Sequence, residues 1–236
     1  EPEAVSETAQ WIRRNVGTAP DEKALSLGDG DYWRFSGEAW TEDEAGVIRP
    51  PDQRNLHSRA FYIGEEYGDV TVEFEYNANY RETGTGNAGL VLRAEDPNHF
   101  YYVHFPWGGQ QLRAKHFWAG LATVDGDAYQ RNVVFEYVPG VPSETDRWYH
   151  VRIEAKGPRI QVWVDGRAAL DVSDTRYASG RVGFAGYGWY AFRNVRVTGH
   201  GMPGKTWAAA PVPTHSVTVD LDSRNMPSGC IAPNGD

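Results

Sequence analysis

From Tyr32 onward the chain is built of short runs in which apolar and polar residues alternate, separated by Gly, Pro, Asp and Asn. The clearest run is Val70-Thr71-Val72-Glu73-Phe74-Glu75-Tyr76. Successive side chains of a strand point to opposite faces, so Val72, Phe74 and Tyr76 are predicted inward and Glu73 and Glu75 together on the wet side. Arg147 to Lys156 repeats the pattern, with Tyr149, Val151, Ile153 and Ala155 inward. Pro158 to Val164 is its predicted partner through Lys156-Gly157, and Asp165-Gly166 supplies the next two-residue hairpin turn. Further strands are predicted over Ala88–Ala94, His99–Phe105, Gln111–Phe117, Asn132–Val138, Arg181–Ala185 and Tyr190–Thr198. Most gaps are too short for the helical crossovers that parallel strands need, so the pattern predicts an all-β, antiparallel two-sheet sandwich.

The pattern also divides the chain. Residues 1–30 read as a short irregular or helical N-terminal extension, in which Ser6 could cap a helix carrying Trp11 and Ile12. The sandwich is predicted over 31–199, and 200–236 reads as a linker and tail rich in Gly, Ala and Pro. Turn residues crowd the last stretch, Pro227 to Asp236, where another strand is expected, which predicts a piece of a longer protein. At the other end the chain opens at Glu1 without a charged-then-apolar leader, as a mature exported protein would.

Charge and composition narrow the partners. The formal net charge of -9 repels a polyanionic backbone, so no nucleic-acid partner is expected. No apolar run is long enough to span a bilayer, so no membrane partner is expected either. Cys230 is the one cysteine, which rules out an internal disulfide and leaves the fold to its apolar core. The nine tryptophans and thirteen tyrosines exceed what a core ordinarily uses, so some rings are expected to face a ligand.

Longer stretches carry a family resemblance. Gly86 to Phe105, with Asn87-Ala88-Gly89-Leu90-Val91-Leu92-Arg93 and Asn98-His99-Phe100-Tyr101-Tyr102-Val103-His104-Phe105, resembles the concanavalin A-like and laminin-G-like sandwiches. Arg147 to Glu154, Ile160 to Gly166, Gly180 to Phe184 and Phe192-Arg193-Asn194-Val195 follow the closing hairpins of the same group. In order and spacing, residues 30 to 199 are similar to the 3-keto-disaccharide hydrolase domain family. The resemblance implies a jelly-roll sandwich of a secreted or periplasmic carbohydrate-active protein, with no cofactor required and a structural calcium as an addition. Where that family often carries a Gln-x-His-Gly-like turn, this chain has Ala185-Gly186-Tyr187-Gly188. The tail from Met226 resembles the start of a sialidase-type β-propeller, which would make a downstream catalytic domain the partner.

Stereotyped catalytic motifs are missing. Retaining glucanases of this shape set two carboxylates about 5 Å apart on one strand, as Glu-x-Asp-x-x-Glu. The nearest match, Glu144-Thr145-Asp146-Arg147-Trp148-Tyr149, ends in tyrosine. Gly84-Thr85-Gly86-Asn87-Ala88-Gly89 has dinucleotide-loop spacing, but a strand follows it rather than a helix. The acidic turns Asp29-Gly30-Asp31 and Asp125-Gly126-Asp127 have oxygen ligands suited to calcium.

Strand parity then assembles a candidate face. With Leu90 and Leu92 inward, Val91 and Arg93 face out; with Tyr101, Val103 and Phe105 inward, Phe100, Tyr102 and His104 face out. With Leu112 and Ala114 inward, Arg113 and Lys115 face out and His116 is buried. If these strands are neighbours, Arg93, Tyr102, His104, Arg113 and Lys115 share one face, rimmed by Trp107, Trp118 and Trp163. Rings stack on the apolar faces of sugars and long cationic donors reach hydroxyls, so an oligo- or polysaccharide is the predicted partner. Three functions follow: a carbohydrate-binding module, a keto-sugar hydrolase or lyase with His104 as base and Arg93 or Lys115 steadying an oxyanion, or a structural accessory domain of a sialidase-like hydrolase. The same parity also fits an ordinary solvated sheet face.

Overall fold

The computed structural model describes residues 19–51, 58–78, 87–105, 116–126, 128–144, 146–188 and 190–204. Strands are numbered in chain order. One sheet runs β14 (Arg167–Ser173), β13 (Arg159–Val164), β12 (Trp148–Lys156), β7 (Val70–Ala78), β16 (Tyr190–Gly199), β4 (Ile48–Arg49), β3 (Thr41–Glu42), with β1 (Asp21–Ala24) laid along β16. The other runs β11 (Ala128–Pro142), β10 (His116–Asp125), β9 (His99–His104), β8 (Asn87–Asp96), β15 (Arg181–Tyr187), β5 (Arg59–Tyr62), β2 (Trp33–Ser36). A two-stranded ribbon of β6 (Glu65–Glu66) and β17 (Met202–Pro203) lies beside them. The described pairings are antiparallel, which gives the predicted two-sheet jelly-roll sandwich. Among the described residues no helix is long and apolar enough to cross a membrane.

The alternating runs fold as their pattern dictates. β12 pairs with β7 and β13 through Val151↔Phe74 and Val151↔Val164, and their inward side chains are buried. Asp165 and Gly166 both have positive φ, 50° and 74°, the left-handed geometry that a tight two-residue hairpin needs. Two short strands fall in the flanking segments: β1, paired with β16, in the one read as an extension, and β17, paired with β6 in the ribbon, in the one read as a linker. Both are short and β1 is mostly exposed, so neither carries the apolar alternation that marks a strand.

Between the sheets the core is largely aromatic. Phe192 of β16 has its ring centroid 5.0 Å from Phe184, 5.7 Å from Phe74, 5.6 Å from Tyr76 and 6.1 Å from Trp40. Much of the ring surplus noted in the composition is used here, since Trp33, Trp40, Phe74, Tyr76, Phe105, Phe117 and Tyr149 are all buried in this cluster. With no disulfide available to the chain, dispersion and burial among these rings carry the stability.

The outer face of the eight-stranded sheet is the wet side predicted for Glu73 and Glu75. Arg152 bonds Glu73 at 3.0 Å and also reaches Glu154, while Arg193 and Asn194 both donate to Glu75 at 2.6 Å. The Arg193 bond, joined by that of Asn194, holds the Glu75 carboxyl below its ordinary value of 4.5 against the opposing effect of burial.

Two outcomes follow from this packing. Phe192→Ala removes a ring shared by four neighbours and is expected to lower unfolding free energy by about 3–5 kcal/mol, read by urea denaturation. Because Glu75 titrates lower folded than unfolded, its contribution is present above the unfolded value of 4.5 and is lost as pH falls through the folded one. Thermal midpoints followed downward from neutral pH should therefore fall less steeply on the acid limb for Glu75→Gln than for wild type.

Candidate functional site

The middle strands of the seven-stranded sheet, β8, β9, β10 and β15, are largely buried on both faces. Its inner face contributes Leu90, Leu92, Tyr101, Val103, Phe105, Phe117 and Leu121 to the inter-sheet core. Its second face forms a separate cluster of Phe61, Val91, Ala94, Phe100, Tyr102, Ala122, Val124 and Ala185. Strand parity thus assigns the outward residues of β8 and β9 as predicted up to Val91, but the outward face is packed rather than wet.

His104 is the polar centre of this second face and is only 5% exposed. It pairs across the ladder with Gly89 of β8 on one side and Gly120 of β10 on the other. A Cβ on Gly120 would sit 2.4 Å from His104 Nε2, and one on Gly89 would sit 2.0 Å from the Val103 carbonyl oxygen. The imidazole therefore occupies room that only glycine leaves open, and at Gly89 the strands approach too closely for any side chain.

A row of rings crosses three strands from this point. Tyr102 stacks on His104 at 5.4 Å and 7°, and Trp118 meets the other side edge-on at 5.4 Å and 76°. Trp118 continues to Phe135 of β11 at 4.6 Å, and Phe135 to Tyr137 at 5.9 Å and 86°. The Tyr102 hydroxyl donates to the Ala185 carbonyl at 3.2 Å, which fixes the start of the row.

The structure brings together only part of the predicted face. Tyr102, His104 and Trp118 are neighbours, whereas Trp107, Arg113 and Lys115 lie outside the described residues. Arg93 stands apart. It has φ of 51° at an irregularity in the β8 register, which breaks the parity count, and its side chain donates to the carbonyls of Gly68 at 3.1 Å and Tyr177 at 3.2 Å. Burial there lowers its pKa, and it is a buried structural arginine four residues along β8 from Gly89. Trp163 is on the eight-stranded sheet, paired with Arg152 and Ala168, and so belongs to the opposite side of the molecule. His116, predicted buried, is exposed at the start of β10, whose inward residues are Phe117, Ala119 and Leu121.

Of the acidic turns expected to suit calcium, Asp127 lies outside the described residues. Among the described residues no group of three or more His, Cys, Asp or Glu side chains gathers as a metal site. Asp125 instead faces His99 Nε2 at 3.3 Å, and the Asp29 carbonyl accepts the Tyr32 amide at 2.9 Å. Phe135 and Tyr137 join the ring row without being among the expected site residues; both fall in the predicted strand Asn132–Val138, two residues apart, and so on one face.

Gly120→Ala should destabilise the fold by about 1–3 kcal/mol, because the imidazole must leave its place. Combined with His104→Ala the loss should be smaller than the sum of the two single losses, a coupling that a double-mutant cycle in urea measures directly.

Known proteins similar to this chain agree with the fold. Residues 22–198 of the 236 match the family model described as the 3-keto-alpha-glucoside-1,2-lyase-like domain. A levanase of Bacillus sp. (strain L7) is 29% identical over 163 residues, which are 67% of this chain and 16% of the levanase. Thus the chain spans about a sixth of that relative's length. The carbohydrate binding module CBM66 from Bacillus subtilis is 21% identical with a TM-score of 0.56, covering 70% of this chain and 94% of the module. The β-glucanase of Bacillus licheniformis is 8% identical with a TM-score of 0.55, covering 78% of this chain and 99% of the enzyme. Both share the sandwich fold. On the family match, which extends over well more than half of its length, this chain belongs to the 3-keto-alpha-glucoside-1,2-lyase-like domain family.

Proposed function

We propose that the chain is a carbohydrate-binding module of a larger, exported carbohydrate-active protein, and that sugar docks on the second face of the seven-stranded sheet near His104 and Trp118. The observation that carries this reading is the ring row from Tyr102 through His104 and Trp118 to Phe135 and Tyr137. Aromatic rings in series on a sheet suit the C–H faces of sugars, and an imidazole among them supplies one polar handle. The expectation that Arg113 and Lys115 join this face, with Trp107 at its rim, falls on residues outside the described ones. Support comes from the levanase relative, of which the match covers 16%, the share of an appended module rather than of the whole enzyme. Levan, the polymer in that relative's name, is therefore the first ligand to try. A polymer of that size stays outside the cell, which favours a secreted or periplasmic site of action and a catalytic domain elsewhere in the same protein.

A second reading, a keto-sugar lyase or hydrolase, draws on the family description. In it His104 is the base and Lys115 the group that steadies the oxyanion, since Arg93 is committed to two carbonyls. Weighing against it is the enclosure of His104 between two rings. A structural accessory role is the third reading.

Titration calorimetry with levan and a panel of soluble glycans, with and without chelator, separates the three. Trp118→Ala is expected to weaken binding at least about tenfold, while Trp163→Ala, on the other sheet, leaves it unchanged. Loss with chelator would point to a bound calcium that the described residues do not hold. A His104→Ala chain that still binds a 3-keto-α-glucoside but no longer turns it over would favour the lyase, and a chain that binds nothing would favour the structural role.

A further inference from the structure

We infer that the sugar meets the ring row at its β11 end, on Phe135 and Tyr137, and that Trp118 and His104 behind them are positioning residues. The inference rests on the carbohydrate-binding reading and assigns contact residues to it.

Access decides the matter first. Along the row Tyr102, His104 and Trp118 are buried, whereas Phe135 and Tyr137 are half-buried. A sugar stacks only on a ring face it can reach, so the buried members can shape and hold the site without touching the ligand. Position decides next. Among the described residues β11 is the edge strand of the seven-stranded sheet, paired with β10 alone within it. Register then ties them to the interior: Phe135 is the ladder partner of Gly120 and Tyr137 of Trp118, and Phe135 lies 4.6 Å from the Trp118 ring. Gly120 thus serves two neighbours, making room for His104 on one side and standing opposite Phe135 on the other.

The chemistry of this end selects the ligand class. The described rings, Tyr102, His104, Trp118, Phe135 and Tyr137, offer C–H stacking surfaces, one phenol at the accessible end and a single imidazole behind it. Neither Phe135 nor Tyr137 brings a charge, and the chain as a whole carries -9, so the fit is to a neutral oligosaccharide rather than to a uronate or sulfated sugar. The most exposed rings of the described residues, Tyr32 at 53% and Phe35 at 40%, sit at or just before β2, the opposite edge of the same sheet, and are the natural controls.

The test uses the full chain and the neutral glycan of highest affinity in the calorimetric panel, with levan first. F135A/Y137A should weaken binding at least about tenfold, Tyr137→Phe less than about threefold, and Tyr32→Ala not at all. Thermal midpoints and near-ultraviolet circular dichroism check that each variant folds. If F135A/Y137A proves unfolded, a Trp118→Phe difference spectrum replaces it: glycan should change Trp118 emission in the wild type by way of the adjoining Phe135 ring. A folded F135A/Y137A chain that binds as tightly as wild type overturns the inference while leaving the proposed function standing, whereas a Trp118 signal unmoved by saturating glycan overturns the inference and the docking face with it. Wild type that binds no glycan overturns both.

Discussion

A sheet covered on both faces has no room for a bulky polar side chain unless its neighbours give way, and the middle strands of this protein's seven-stranded sheet are covered on both faces. Leu90, Val103 and Leu121 fill one side, and Val91, Tyr102 and Ala122 the other. His104 enters this packing because Gly89 and Gly120 stand opposite it on the two flanking strands. A Cβ at Gly120 would meet the imidazole, which is held between Tyr102 and Trp118, while at Gly89 it is the Val103 backbone that leaves no room for one. Close packing of that kind allows little adjustment, so a ligand at the edge of the row would meet a surface already formed.

The two sheets divide the work by how they treat their outer faces. The eight-stranded sheet turns Glu73, Glu75, Arg152 and Arg193 outward in a lattice of ion pairs, each partly exposed and worth little alone, which keeps that face solvated. The seven-stranded sheet turns rings outward instead. Polar groups at the far end of the sandwich serve closure: Tyr101 donates to Asp174 at 2.6 Å, and Tyr177 donates to the Val124 carbonyl at 2.6 Å. Burial, chiefly, pushes both phenols up to about 12, so they stay protonated donors throughout the ordinary pH range. Arg93 belongs to the same closure through the Tyr177 carbonyl.

What could be read from the residues alone follows from this division. β7, β12 and β13 alternate because one face is wet, so their inward residues and the turns on either side of β13 are legible, whereas the β7–β12 pairing is not. β10 was not, because Phe117-Trp118-Ala119-Gly120-Leu121-Ala122-Thr123-Val124 is nearly unbroken in apolar character when both faces are buried. Parity placed Tyr102 and His104 on a common face but carried no information on whether that face was covered. It failed at Arg93, where a positive φ shifts the count, and a charged residue reads as outward by habit. Trp163 was joined to the wrong side because strand order in a jelly roll does not follow chain order, and alternation within one strand says nothing about which sheet it joins.

The central claim, that carbohydrate docks on the ring-lined face of the seven-stranded sheet, is tested most directly by nuclear magnetic resonance of the side chains during glycan titration. Saturable shifts of the Trp118 indole and His104 imidazole signals, with Trp163 unmoved, are the predicted result. Shifts confined to Trp163 and its neighbours on the eight-stranded sheet, with Trp118 and His104 silent at saturation, would contradict it.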